Sequence, residues 1–156
     1  MTRRLLLLFA LLALCAASLP LYAGDEANAK LIGTWRHVIM TRVIDGRALP
    51  PQPAVGEALM RMMADGTWSL TAPQITASGT YRWTGADRIE TTTLESTLAV
   101  QVGMVSSKQV MFEEDRVALV TVSTRAELDK LMGPPKSGGQ WPATTVITSI
   151  FRRVAP

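Results

Sequence analysis

Ala64-Asp65-Gly66-Thr67-Trp68-Ser69-Leu70-Thr71 is the stretch whose reading decides the fold. From Thr67 to Thr71 polar and apolar residues alternate, the pattern of a strand with one face on a core and one in water. Asp65-Gly66 stands immediately before it, and glycine tolerates the positive φ that a tight hairpin turn requires. On the other side, Glu57 to Met63 has a composition that would also suit a helical turn. It runs straight into Asp65-Gly66, however, so the reading is strand, turn, strand over about residues 58–71.

Both sides of this hairpin repeat the pattern. Thr34 to Val43 carries Trp35, Val38, Ile39, Thr41 and Val43, side chains that pack well on a pleated surface. Gly79 to Trp83 and Arg88 to Thr93 flank a turn at Thr84-Gly85-Ala86-Asp87. Leu98 to Ser106, Lys108 to Phe112 and Arg116 to Val122 continue the series, with Glu113-Glu114-Asp115 as a solvated tip. Thr144 to Val154 closes it as a long β-branched strand.

One stretch breaks the rhythm. Thr124 can cap a helix, Glu127 completes a capping box, and Ala126, Leu128, Leu131 and Met132 form one apolar face before Gly133-Pro134-Pro135. Asp45 to Pro53 reads as a connection, Gly24 to Ala29 as a short polar leader, and Lys136 to Gly139 as a flexible loop. The expected fold is mainly β, an up-and-down antiparallel barrel of about seven to nine strands with one short late helix. Closing a barrel removes the exposed edges that an open sheet must protect.

The N-terminus reads as an export signal. Arg3 and Arg4 precede an almost unbroken apolar run from Leu5 to Leu14, and Pro20 stands before Leu21-Tyr22-Ala23. Cleavage after Ala23 divides the chain into a signal peptide (1–23) and one domain (24–156), with Ser18 as a second site. An uncleaved anchor needs about twenty apolar residues, a length reached here only by including Ser18 and Pro20. Acylation of Cys15 is the other alternative, and the bulky Leu14 fits it poorly. Export implies a periplasmic or secreted protein with no stable membrane span after cleavage.

Processing also changes the composition. Loss of Arg3 and Arg4 takes the 16 basic side chains to 14, against 13 acidic ones, and Cys15 leaves with them. So balanced a domain carries no footprint for nucleic acid. Without cysteine it must fold without disulfides, and about 130 residues bury enough surface to do so.

Gly33-Thr34-Trp35, opening the first strand, resembles the Gly-x-Trp signature of the lipocalins and their small secreted or periplasmic bacterial relatives. Asp65-Gly66-Thr67-Trp68, Gly79-Thr80-Tyr81 and Asp87-Arg88-Ile89 are similar to stretches of those lipocalin-like domains. The resemblance implies that Trp35 packs beneath an arginine of the last strand at the closed end, here Arg152 or Arg153. Gly33, Trp35, Arg152 and Arg153 are then the closure residues, with a structural role. The further signature segments and the disulfide of classical lipocalins have no counterpart here.

No catalytic constellation emerges from the residues. His37 is the only histidine, and neither a second ligand at helical spacing nor paired cysteines accompany it. Ser106 and Ser107 lack an elbow and an oriented base, and Gly138-Gly139 lacks the frame of a phosphate loop. Neither a catalytic residue, a metal nor a cofactor is therefore assigned. Arg88 and Glu90 stand two apart and should share a face, as an internal polar pair or as a solvated ladder pair.

Methionines are the remaining signal. Met60, Met62 and Met63 cluster together, and flexible thioethers suit core filling or an adaptable apolar cavity. Met60, Met62, Trp68, Tyr81 and Trp83 are the candidate residues for binding a small apolar ligand. The alternative is a filled barrel that acts as a protein-interaction or inhibitory module through the loop at residues 131–141. An enzyme with an unrecognised site is the third reading.

Overall fold

Strand β1 (Gly33–Ile44) is hydrogen-bonded along both edges, and this closes the sheet. The structure, a computed structural model, describes residues 23–135 and 138–155. Helix α1 (Ala23–Leu31) leads into β1, and the short strands β2 (Arg47–Ala48) and β3 (Gln52–Pro53) pair with it. Then come β4 (Leu59–Met62), β5 (Thr67–Ala72), β6 (Ile75–Gly85), β7 (Arg88–Ser96), β8 (Val105–Glu113) and β9 (Arg116–Thr124). Helix α2 (Arg125–Met132) precedes β10 (Thr144–Arg153). Eight strands, β1 and β4 to β10, form a closed antiparallel barrel in which each pairs with its neighbour and β10 returns to β1.

Trp35 lies opposite Arg153 and Ile44 opposite Thr145, so the seam runs almost the whole length of β1. Alternation assigns the inner face. Val117 and Leu119 on β9, Ala77 and Tyr81 on β6, and Ile89 and Thr91 on β7 are buried, while their sequence neighbours are partly or fully exposed. Hairpin turns put Asp65-Gly66, Ala86-Asp87 and Glu114-Asp115 at one end with α1. The β7–β8 connection and α2 lie at the other.

The Asp65-Gly66 hairpin, the late helix and the long last strand are where the sequence places them. Thr124 accepts from the Glu127 amide, and the Glu127 carboxylate accepts from the Thr124 amide at 2.7 Å, completing the capping box. Three expectations are corrected, the first being that Asp45 to Pro53 is only a connection: β2 and β3 lie within it and pair with β1. Leu98 to Ser106 is not a strand: a 3-10 turn occupies Ala99–Gln101, and β8 starts only at Val105. Ser96 Oγ accepts from the Leu98 amide and donates to the Gln101 side chain, and these local bonds displace ladder pairing.

Gly24 to Ala29 is not a leader but most of α1. Asp25 and Glu26 stand in its first turn, Lys30 bonds Glu26 at 2.7 Å, and Leu31 is fully buried. The proposed signal peptide lies outside the described residues, apart from Ala23. So do positions 136–137 of the loop expected to be flexible. Among the described residues, no helix is long and apolar enough to cross a membrane.

Candidate functional site

The two ends of the barrel are built differently. At the α1 end, Leu31, Trp35, Ile89 and Val117 are fully buried, with Met60, Met62, Tyr81, Val110, Leu119 and Phe151 around them. Helix α1 plugs this end. Asn28 Oδ1 accepts from Trp83 Nε1 at 3.1 Å and lies 3.1 Å from the Tyr81 hydroxyl, which donates to the Met63 carbonyl at 2.8 Å.

The closure residues meet here. Trp35 Nε1 donates to the Leu31 carbonyl at 2.8 Å, and the Arg153 guanidinium carbon lies 4.2 Å from the Trp35 ring centroid. Arg153 donates to the carbonyls of Ile32, at 3.0 Å, and of Lys30. It thereby ties β10 to α1 as well as to the indole. Gly33 has φ +143°, and a Cβ there would stand 2.6 Å from Arg153 Nη1. Arg152 points outward to Asp115 at 3.2 Å.

The five candidate ligand residues lie in or against this core. Met60, Met62 and Tyr81 are buried in it, and Trp68 and Trp83 pack against it. Trp68 Nε1 donates to the Thr80 carbonyl at 3.1 Å. Glu90 pairs with neither Arg88 nor the lumen. It meets Arg82 across the β6–β7 ladder at 2.7 Å on the outer face, because Arg88 and Glu90 flank the inward Ile89.

Toward the other end the inner face is polar and less covered. Register places Met40, Arg42, Ser106, Lys108, Thr121 and Ile147 inward, and all are only partly buried. Lys108 faces Ile89 across β7–β8. Its ammonium donates to Ser106 Oγ at 3.0 Å and Thr121 Oγ1 at 3.4 Å. Burial pushes its pKa down. Sequence reasoning missed this residue, although its phase was legible: Lys108 stands in step with Val110 and Phe112.

His37 lies on the inner face against Phe151, ring centroids 5.1 Å apart. Its buried Nε2 has no hydrogen-bond partner among the described residues, and desolvation lowers its pKa against a smaller opposing effect of a backbone bond at Ile39. Among the described residues no three His, Cys, Asp or Glu side chains gather as a metal site.

Two shallow concavities, of about 350 and 320 Å³, lie along the β5–β7 wall. The first, toward the end away from α1, draws on both faces of the wall, with Leu70 and Ala77 from the inner face and Ser78 and Glu95 from the outer; the second lies by Asp65, Arg82 and Glu90. In the late loop, Trp141 is partly buried and its Nε1 donates to the Gly133 carbonyl at 2.7 Å. Arg125 binds the Trp141 carbonyl and the Gln140 side chain, each at 2.8 Å. No protein-family model matches the chain, and no curated protein sequence does.

Proposed function

We propose that this is an exported, lipocalin-like binding protein that takes a small ligand into the half of the barrel away from α1. One observation carries the reading: the inner face is fully buried beside Trp35 and only partly buried around Lys108 and Ile147. Ligand sites are concave, mostly apolar and fixed by a few placed polar groups, and Ile147, Met40 and Lys108 supply both kinds of surface. Native mass spectrometry of the exported protein tests it. A retained small molecule, lost on mild denaturation, is the expected result, and a bare polypeptide with no uptake from a small-molecule library overturns it.

A second reading, a protein-interaction module, draws on a different feature. Leu94, Leu98, Val100, Val102 and Val105 are all about half-exposed around the β7–β8 connection. Clustered exposed aliphatics of this kind mark interaction surfaces more often than scattered ones do. They make this connection, rather than the 131–141 loop, the surface on which such a reading rests. Loss of a co-purifying protein on replacing Val100 and Val102 with Ser is its test.

A further inference from the structure

Arg47-Ala48-Leu49-Pro50-Pro51-Gln52-Pro53 lies between β1 and β4, and proline chemistry shapes its backbone. Each proline ring fixes its own φ at about −65°. A residue that precedes proline is pushed into the extended region, which here covers Leu49, Pro50 and Gln52. From Leu49 to Pro53, then, each residue is biased toward polyproline II backbone by its own ring or by the ring that follows. Such a helix repeats every three residues. Pro50 and Pro53 therefore share one edge of it, and Arg47 stands one turn ahead of Pro50.

The segment is strapped to β1 and presented to water. Asp45 and Gly46 turn the chain with φ of 49° and 77°. The Asp45 amide donates to the Thr144 carbonyl, and the Asp45 carboxylate accepts from the Thr144 amide, each at 2.9 Å. The Leu49 amide donates to the Arg42 carbonyl at 2.9 Å, and the Ala54 amide to the Val38 carbonyl at 3.0 Å. Between these two anchors Pro50, Pro51, Gln52 and Pro53 are all exposed, as is Arg47, while Leu49 is half-buried. Both β2 and β3 pair with β1 alone among the described strands, so the outer edge is open. Arg47 makes no ion pair among the described residues. Protection of a sheet edge explains prolines on it. It asks for neither a spacing of three nor an unpaired arginine one turn ahead.

We propose that Arg47–Pro53 is a docking segment for a partner domain whose groove is lined by aromatic rings and carries carboxylates at one end. Grooves of this kind take Pro-x-x-Pro segments because the polyproline backbone is extended beforehand and has little freedom left to lose. Pro50 and Pro53 pack on the aromatic rings, and Arg47 bonds the carboxylates through charge-assisted hydrogen bonds. The anchors at Leu49 and Ala54 hold the segment extended before the partner arrives, which lowers the cost of binding. This surface is separate from the barrel lumen and from the β7–β8 aliphatics, so the inference depends on neither reading above.

Titration calorimetry of the exported protein with a purified SH3 domain tests the proposal. The domain chosen has an aromatic groove with carboxylates at one end, and a second form of it carries amides in their place. The carboxylate form should bind with a Kd tighter than about 1 mM, the weak end of specific affinity. R47E should weaken binding roughly tenfold or more, as loss of a charged hydrogen bond requires, and the amide form of the domain should be weakened alike. P50A and P53A should each weaken it strongly, and P51A, off their shared edge, far less. Near-UV circular dichroism confirms the fold of each variant. Absence of binding at about 1 mM overturns the proposal. Equal binding of the carboxylate and amide forms overturns it, as does P51A proving as damaging as P50A and P53A. Variants P50A and P53A that self-associate yet bind the domain undiminished would leave these prolines as edge protection, and overturn it too.

Discussion

Arg153 lies over Trp35 with its guanidinium carbon 4.2 Å from the ring centroid, while its neighbour Arg152 turns outward to Asp115. This contact spans the seam between the first and last strands. Trp35→Ala should cost about 3–5 kcal/mol, because a fully buried indole leaves a cavity. Arg153→Met should cost about 1–2 kcal/mol, combining the cation–π contact with hydrogen bonds to two carbonyls. The losses should be non-additive by more than about 0.5 kcal/mol in a urea-denaturation double-mutant cycle. Arg152→Met should show no coupling to Trp35; a coupling as large as that of Arg153 would put the closure contact on the wrong residue.

Gly79 sits where β6 and β7 slip register, and space rather than torsion limits it. A Cβ there would stand 1.9 Å from the Thr92 carbonyl oxygen and 3.1 Å from the Leu94 amide nitrogen. Both are backbone atoms, so no side-chain rotation relieves the clash. Gly79→Ala should destabilise by about 3 kcal/mol or more, at the upper end of overpacking effects. A thermal shift no larger than that of Gly85→Ala, where a Cβ meets only ordinary contact with Arg88 at 3.8 Å, would argue against this backbone approach.

Asn28 joins α1 to the barrel through Trp83 and Tyr81. Asn28→Ala leaves the partly buried indole N–H without its partner and should cost about 1–3 kcal/mol. Because the loss is local to the plug, hydrogen exchange at Leu31 and Ile32 should accelerate more than at Val120 and Leu119. Uniform acceleration would show that α1 does not open independently of the barrel.

His37 makes stability depend on pH. Its folded pKa lies below the ordinary 6.5, chiefly through desolvation. Below 6.5 the unfolded chain therefore binds the proton more readily than the folded one, and stability falls as pH drops from that value toward the lower folded pKa. His37→Phe should flatten this part of the profile. Urea midpoints at pH 7.5 and pH 5 in both proteins measure it, and an unchanged slope in the variant would assign the dependence to other groups.

The hairpin at Asp65-Gly66, the capping box at Thr124, the alternating strands and the importance of Trp35 were all legible in the sequence. Each rests on a signal contained within a few residues: turn chemistry, a cap three residues from its partner, or strand periodicity. Tertiary structure alone decided the rest. A nine-residue segment such as α1 is marginal as an isolated helix, and it gains its place from Leu31, Asn28 and the carbonyls that hold Arg153. Leu98 to Ser106 has strand-like composition, yet Ser96 turns the chain locally before it reaches the ladder. Arg152 and Arg153 are alike in sequence, and only the register of β10 on β1 puts Arg153 over the indole. Lys108 is one more surface lysine until the barrel closes. Closure then sets its ammonium facing inward among Ser106, Thr121 and Ile89, because strand alternation assigns a face but only pairing with both neighbours decides which face is the interior.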